Sequence, residues 1–150
     1  FCVHPMQLRP GIETIGEQEI IHYAVMMSKG QKMPDGSEIM VIDSRTPDWV
    51  AKGMIPGAVN IPWTHLSEAK GADPISIAEI MTDKFGAKEQ NGLFYFDDAK
   101  TLVMYCNGMW CGQSPNNIKS LLKYGYPADK IKWYRGGMQN WEILGFNTVK

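Results

Sequence analysis

Cysteine is scarce in this chain: Cys2, Cys106 and Cys111 are the only three among 150 residues. So small and odd a number cannot build a disulfide framework, and a domain of this length does not need one. Metal-ligand spacing is lacking as well. Four residues separate Cys106 from Cys111, and His4, His22 and His65 form no i, i+4 pair and lie far from them in sequence, so no metal site is expected. Charge of one sign is also missing: 15 Lys and Arg stand against 16 Asp and Glu, with no basic block. That balance leaves no electrostatic footprint for nucleic acid or an anionic membrane. No apolar run approaches the roughly 20 residues of a membrane span, and no charged segment leads into an apolar one as in a signal peptide. Internal repeats and low-complexity segments are absent.

What the chain does hold is a core. Hydrophobic residues make up 44% of it, enough for one sizeable core in a chain too short for two. The first residue is Phe1 and not a methionine, the mark of a processed or trimmed chain. With Cys2 beside it and two cysteines paired in one loop, a periplasmic or exported protein is favoured over a cytoplasmic one.

Residues 1–13 carry Pro5, Pro10 and Gly11 and no periodicity. Residues 1–11 therefore read as an extended arm, and residues 12–150 as one domain. "TIGE" at 14–17 has capping-box spacing, and Ile20, Ile21, Ala24, Val25 and Met27 follow at helical intervals, predicting a helix that ends near Gly30. "IMVIDSR" is a buried strand by pattern, and Thr46 and Pro47 open a short helix through Ala51. A second strand is expected at 58–61. Asp73 and Pro74 start a helix with Ile77, Ile80 and Met81 on one face, and "GAKEQNG" before "LFYF" is a connector or small hairpin. "TLVMY" at 101–105 is the next strand. Ser114 and Pro115 cap a helix whose Ile118, Leu121 and Leu122 face inward and which ends at Gly125. "KIKWY" at 130–134 is the last strand, followed by a short helix holding Met138, Trp141 and Leu144. Alternating strands and helices predict an α/β fold, a parallel sheet with helices on both faces.

Parallel α/β sheets bind ligands outside the carboxyl ends of their strands. In "VMYCNGMWCGQSP", Cys106 falls at such an end, just ahead of a helix start. Its thiolate is expected to face the N–H groups of residues 107–112 and the positive end of that helix, an environment that lowers a thiol's pKa. Gly108 and Gly112 would let the loop adopt φ > 0 and wrap the sulfur. The competing reading is an inert buried cysteine. The glycines and the helix start behind Cys106 favour function.

Three ordered motifs resemble one family. "VIDSRTPDWVAKGMIPGAVNIPW" at 41–63 is similar to the D-x-R strand end and G-H-I-P-G-A turn of the rhodanese-like domain. The Cys106 loop resembles that family's sulfurtransferase loop, and "WYRGGMQNW" at 133–141 its Gly-Gly-x-x-x-Trp ending. The resemblance covers roughly residues 12–149 and implies a rhodanese-like single-domain sulfurtransferase. It implies that Cys106 takes a sulfane sulfur from thiosulfate, polysulfide or a persulfide and holds it as its own persulfide. The sulfur then passes to a thiol, a cyanide-like acceptor or a sulfur-carrier protein. That covalent intermediate calls for no organic or metal cofactor. By the same resemblance, Asn107, Gly108, Met109, Trp110, Cys111 and Gly112 form the cradle. Asp43 and Arg45 hold the sheet end, Gly136 and Gly137 let the last helix close on the sheet, and Trp141 belongs to the core.

The chain also departs from the family pattern. Met54 stands where the turn commonly has His. Asn107, Met109 and Trp110 stand where many thiosulfate-using members carry basic residues, leaving Arg135 as the nearest candidate cation, its side chain directed either to the loop or to solvent. Cys111 stands where a small or hydroxyl residue is usual, and reads either as a small buried filler or as a partner thiol for Cys106. Two other functions compete. A cell-cycle type cysteine phosphatase would need Arg where Gly112 stands, to clamp phosphate. A non-catalytic binding or thiol-redox module would use Cys106 and Cys111 only as a thiol pair.

Overall fold

In the computed structural model, which describes residues 6–150, the strands are β1 (Glu13–Ile15), β2 (Ile39–Asp43), β3 (Val59–Asn60), β4 (Lys88–Gln90), β5 (Leu93–Tyr95), β6 (Thr101–Tyr105) and β7 (Ile131–Tyr134). The helices are α1 (Glu17–Ser28), α2 (Pro47–Val50), α3 (Pro74–Asp83), α4 (Gln113–Lys123) and α5 (Gly137–Ile143). Five strands pair in parallel in the order β1-β7-β6-β2-β3, while β4 and β5 make a separate antiparallel hairpin.

Continuous apolar runs form the middle of the sheet because both of its faces are covered. All five residues of β6 are buried. Leu102 and Met104 point to one side, where they join Ile77 and Met81 of α3 and Ile118 and Leu121 of α4. Val103 and Tyr105 point to the other side, with Ile20 of α1 and Met138 and Trp141 of α5. In β2, Val41 and Ile42 divide the same way. The two-residue period of the strand thus feeds two cores at once, each buried apolar side chain contributing about 1.5–3 kcal/mol over its exposed state.

The chain leaves β2 toward β3 on one side, and leaves β6 toward β7 on the other. β2 and β6 are neighbours, so their carboxyl ends flank the point where the strand order reverses, the place where open α/β sheets leave a crevice. Ser44 N–H donates to Tyr105 O at 3.0 Å across this point.

Several expectations are corrected. Thr14 lies in β1 and is no capping residue: Gly16 precedes α1 and offers no side-chain cap. β1 escapes the sequence pattern because it is a three-residue edge strand whose partner, β7, lies more than a hundred residues away. α4 begins at Gln113, with Gly112 at the cap position, so Ser114 sits inside the first turn, fully buried. Leu144 follows α5 and is 53% exposed, outside the core. The segment before "LFYF" resolves into the β4–β5 hairpin. Residues 1–5 of the expected arm, Cys2 among them, lie outside the described residues.

Candidate functional site

Cys106 follows directly from β6 and is 2% exposed. What holds the loop behind it is the amino end of α5. Met138 N–H donates to Cys106 O, and Gln139 N–H to Asn107 O, both at 2.9 Å. Those two carbonyls are thereby occupied by α5 and do not compete for the sulfur. Gly137 makes the close approach possible: its φ is +61°, and an added Cβ would fall 2.3 Å from Cys106 O and 2.8 Å from Gly108 N. No side chain fits there. Gly136 is buried beside it, and its missing Cβ leaves room for the Asn140 side chain.

The loop glycines serve a different purpose from the one expected. Neither Gly108 nor Gly112 has positive φ. Gly108 is needed because the Trp110 indole lies on it, 2.3 Å from where a Cβ would stand. Gly112 has φ −91° and open space around it. Trp110 and Met109 are exposed at the rim, and Asn107 is half-buried.

The charge distribution also differs from the expectation. The Ser114 backbone N–H faces the Cys106 sulfur, while the amides of Asn107 and Gln113 face the sulfur of Cys111. Cys106 Sγ also donates to Cys111 O at 3.6 Å. Hydrogen bonding between the two thiols raises the Cys106 pKa, and burial adds to the rise. The same interaction lowers Cys111 to about 6, helped by the two amides and by the positive charge of Arg45. These contacts push the two thiols apart, Cys106 upward and Cys111 downward, so Cys111 is the more readily ionised of the pair. The deeper sulfur is the poorer place for charge because it has lost more water. Cys111 is half-buried and faced by backbone amides.

Beside the loop, the end of β2 is closed by a buried clamp. Arg45 Nε donates to Asp43 Oδ1 at 2.9 Å and Arg45 Nη2 to Asp43 Oδ2 at 2.7 Å, and Nη2 also reaches Gly53 O at 2.7 Å. Tyr105 Oη donates to Asp43 Oδ2 at 3.0 Å and accepts from Ile55 N–H at 3.2 Å. Burial opposes the Arg45 charge, but the Asp43 carboxylate outweighs it and keeps the guanidinium above its ordinary pKa. Asp43 and Arg45 thus tie the strand end to the 53–55 turn, and Arg45 also acts on Cys111 through its charge. That turn is fastened from the other side by paired backbone hydrogen bonds between Met54 and Val149 at 2.7 and 3.0 Å, in which the Met54 side chain takes no part. Arg135, at the end of β7, is half-buried, and its Nε is buried without a hydrogen-bond partner. Among the causes that lower Cys111 is the positive charge of Arg45, a residue the sequence reading assigned only to the strand end.

Sequence reasoning missed Gln113, Ser114 and Ser44 as site residues. Ser114, read only as a cap, lends its amide to Cys106, and its hydroxyl donates to the buried Ser44 Oγ at 2.9 Å, joining α4 to the β2 end. Ser44 lies within the "DSR" motif, but nothing in sequence announces its contact with a residue seventy positions on. Among the described residues, no three His, Cys, Asp or Glu side chains gather to hold a metal ion. None of the helices there is long and apolar enough to cross a membrane.

Comparison with known proteins follows the same lines. Residues 27–144 match the family model of the rhodanese-like domain. A sulfurtransferase from Allochromatium vinosum is 28% identical over 122 residues, which cover 81% of this chain and 89% of that protein. Among solved structures, a rhodanese-related protein from Thermoplasma volcanium superposes with a TM-score of 0.54 at 18% identity, over 91% of this chain and 97% of the other. A human single-domain sulfurtransferase does so with a TM-score of 0.50 at 21% identity, over 87% and 95%. A sheet of this order, a cysteine loop at its switch point and a family match across most of the chain agree: this chain belongs to the rhodanese-like domain family.

Proposed function

We propose that this chain is a sulfurtransferase in which Cys106 carries a sulfane sulfur as a persulfide. The observation that carries the reading is the placement of Cys106 at the end of β6. Its carbonyl and that of Asn107 are bound by α5, and the Ser114 amide of α4 points at its sulfur. Membership in the family and the relative named a sulfurtransferase support the same reading. As the donor arrives, Cys106 gives its proton to solvent, its thiolate attacks the sulfane sulfur, and the bond joining that sulfur to the rest of the donor breaks, the remainder leaving with the electron pair as a shortened polysulfide, a thiolate or sulfite. The amino end of α4 stabilises the charge that develops there. The persulfide itself is the carrier, so the scheme uses no organic or metal cofactor.

The proposed donor is polysulfide or an organic persulfide in preference to thiosulfate. Met109 and Trp110 make the exposed rim apolar, and the guanidinium of Arg45 is already paired with Asp43. A thiosulfate dianion would find no free positive charge in the loop itself. The proposed acceptors are a small thiol, a cyanide-like nucleophile or a sulfur-carrier protein.

Substitution Cys106→Ser tests the reading, because a serine hydroxyl cannot hold a sulfane sulfur. Intact mass after exposure to polysulfide and desalting should show one sulfur gained at residue 106 in Cys111→Ser, which has no second loop thiol to discharge it, and none there in Cys106→Ser. Turnover of Cys106→Ser within about tenfold of the unaltered protein, a loss of only ~1.4 kcal/mol, would remove Cys106 from the role.

A further inference from the structure

The amides that would hold a bound anion in this loop are partly taken by the protein's own sulfur. Asn107 and Gln113 N–H groups face Cys111, and the two thiols are in hydrogen-bonding contact. Cys106 lies at the floor of the loop and Cys111 nearer its mouth. The two halves of the loop are also held differently. Residues 106 and 107 are pinned to α5, whereas the Cys111 stretch is tied within the loop itself, by Cys111 N–H to Gly108 O at 3.1 Å and by the Cys106 Sγ contact with Cys111 O at 3.6 Å, and is followed by Gly112 with open space around it. A fixed sulfur thus faces a sulfur on the looser arm of the same loop.

We infer that Cys111 is a resolving thiol that ends the sulfur-carrying state by reducing it. The step rests on the proposed Cys106 persulfide. The Cys111 thiolate attacks Sγ of Cys106, the bond between that Sγ and the sulfane sulfur breaks, and hydrosulfide leaves with the electron pair. In balanced form, Cys106–S–SH and Cys111–S⁻ give a Cys106–Cys111 disulfide and HS⁻. The sulfane sulfur is reduced to sulfide, and the two thiols supply the two electrons. An external dithiol then returns both electrons and resets the pair by thiol–disulfide exchange. The chemical class of partner this assigns is a dithiol reductant, small or protein-borne, and the product is sulfide. Attack is favoured because the amides of Asn107 and Gln113 and the charge of Arg45 still favour the Cys111 thiolate once the Cys106 thiol has become a persulfide, and because both sulfurs belong to one short loop.

Thiosulfate is the informative donor, although it should load slowly, because loading releases sulfite and any sulfide must come from the second step. The reduced full chain, freed of reductant, is incubated with excess thiosulfate, and sulfite and sulfide are counted per chain. We expect one sulfite and one sulfide, a final mass two hydrogens below that of the reduced protein, and a peptide linking Cys106 to Cys111. Cys111→Ser, loaded with polysulfide and desalted, should keep its extra sulfur on Cys106 until a thiol is added. Sulfite without sulfide from the unaltered chain, with a lasting persulfide on Cys106, would overturn the resolving role and leave the carrier reading intact. Spontaneous sulfide loss from desalted, loaded Cys111→Ser at the rate of the unaltered chain would do the same. Failure of both proteins to gain sulfur from either donor would overturn the carrier reading, and this step with it.

Discussion

The carboxyl ends of β2 and β6 are neighbours at the switch point of the sheet, and they are built in opposite ways. At the end of β2, a carboxylate and a guanidinium cancel each other in a buried bidentate pair, with Tyr105 and the Gly53 carbonyl filling further positions. At the end of β6, two thiols of one loop differ in how readily they ionise, backbone amides and the charge of Arg45 favour the thiolate of Cys111, and the rim carries exposed Met109 and Trp110. The first arrangement leaves nothing for a ligand to do. The second leaves Cys111 half-buried at an exposed apolar rim, with Cys106 buried behind it. Rigidity at one strand end and reactivity at the next are linked, because Arg45 belongs to the clamp and also lowers the pKa of Cys111.

The comparison breaks most heavily at the clamp. Asp43→Ala leaves the buried guanidinium of Arg45 without its partner, and removal of one member of a buried pair costs about 3–5 kcal/mol. Urea unfolding should show that loss. A variant within ~1 kcal/mol of the original would mean that solvent reaches Arg45 and that the end of β2 is not rigidly closed.

A smaller change tests the uncharged rim of the β6 loop. Met109→Lys places a cation where the loop has none, and one charge-assisted contact in a partly desolvated site is worth on the order of 1–3 kcal/mol. Thiosulfate kcat/KM should rise roughly 5- to 150-fold while the polysulfide rate stays nearly constant. No gain, or efficient thiosulfate use by the original protein, would show that loop charge does not set donor choice.

The smallest expected effect concerns the shared proton. A hydrogen bond from the Cys106 thiol favours the charged form of Cys111, so removing it raises the Cys111 pKa. Iodoacetamide labelling of Cys111 should gain speed as pH rises through about 6. In Cys106→Ala the midpoint should move up by about one pH unit, toward the ordinary thiol range. An unmoved midpoint would mean that the amides and Arg45 alone hold the charge.

How much of this was legible depended on how local its cause was. β2, β6 and β7 stand out in the sequence because burial on both faces demands unbroken apolar runs. Asp73 announces α3 because its carboxylate caps the chain only three residues away, accepting from Ser76 N–H at 2.7 Å. β1 gave no such signal, since its register with β7 pairs Glu13 with Lys132. Gly108 was recognised as necessary for the wrong reason. Its backbone angle is ordinary, and the constraint is the Trp110 ring lying on it.

The candidate site divides along the same line. Sequence alone determined that Cys106 ends a buried strand and precedes a helix, because residue type, apolar pattern and turn chemistry act over a few positions. It also determined the D-x-R and Gly-Gly motifs and the one-domain α/β class, through the alternation of strand and helix patterns. Only the tertiary structure decided where the charge rests. Ser114, Asn107, Gln113 and Arg45 reach the two sulfurs from β2, the loop and α4, and a thiol's ionisation answers to the sum of those contacts and its burial. That sum raises Cys106 and lowers Cys111, five residues on, a difference that no pattern along the chain encodes.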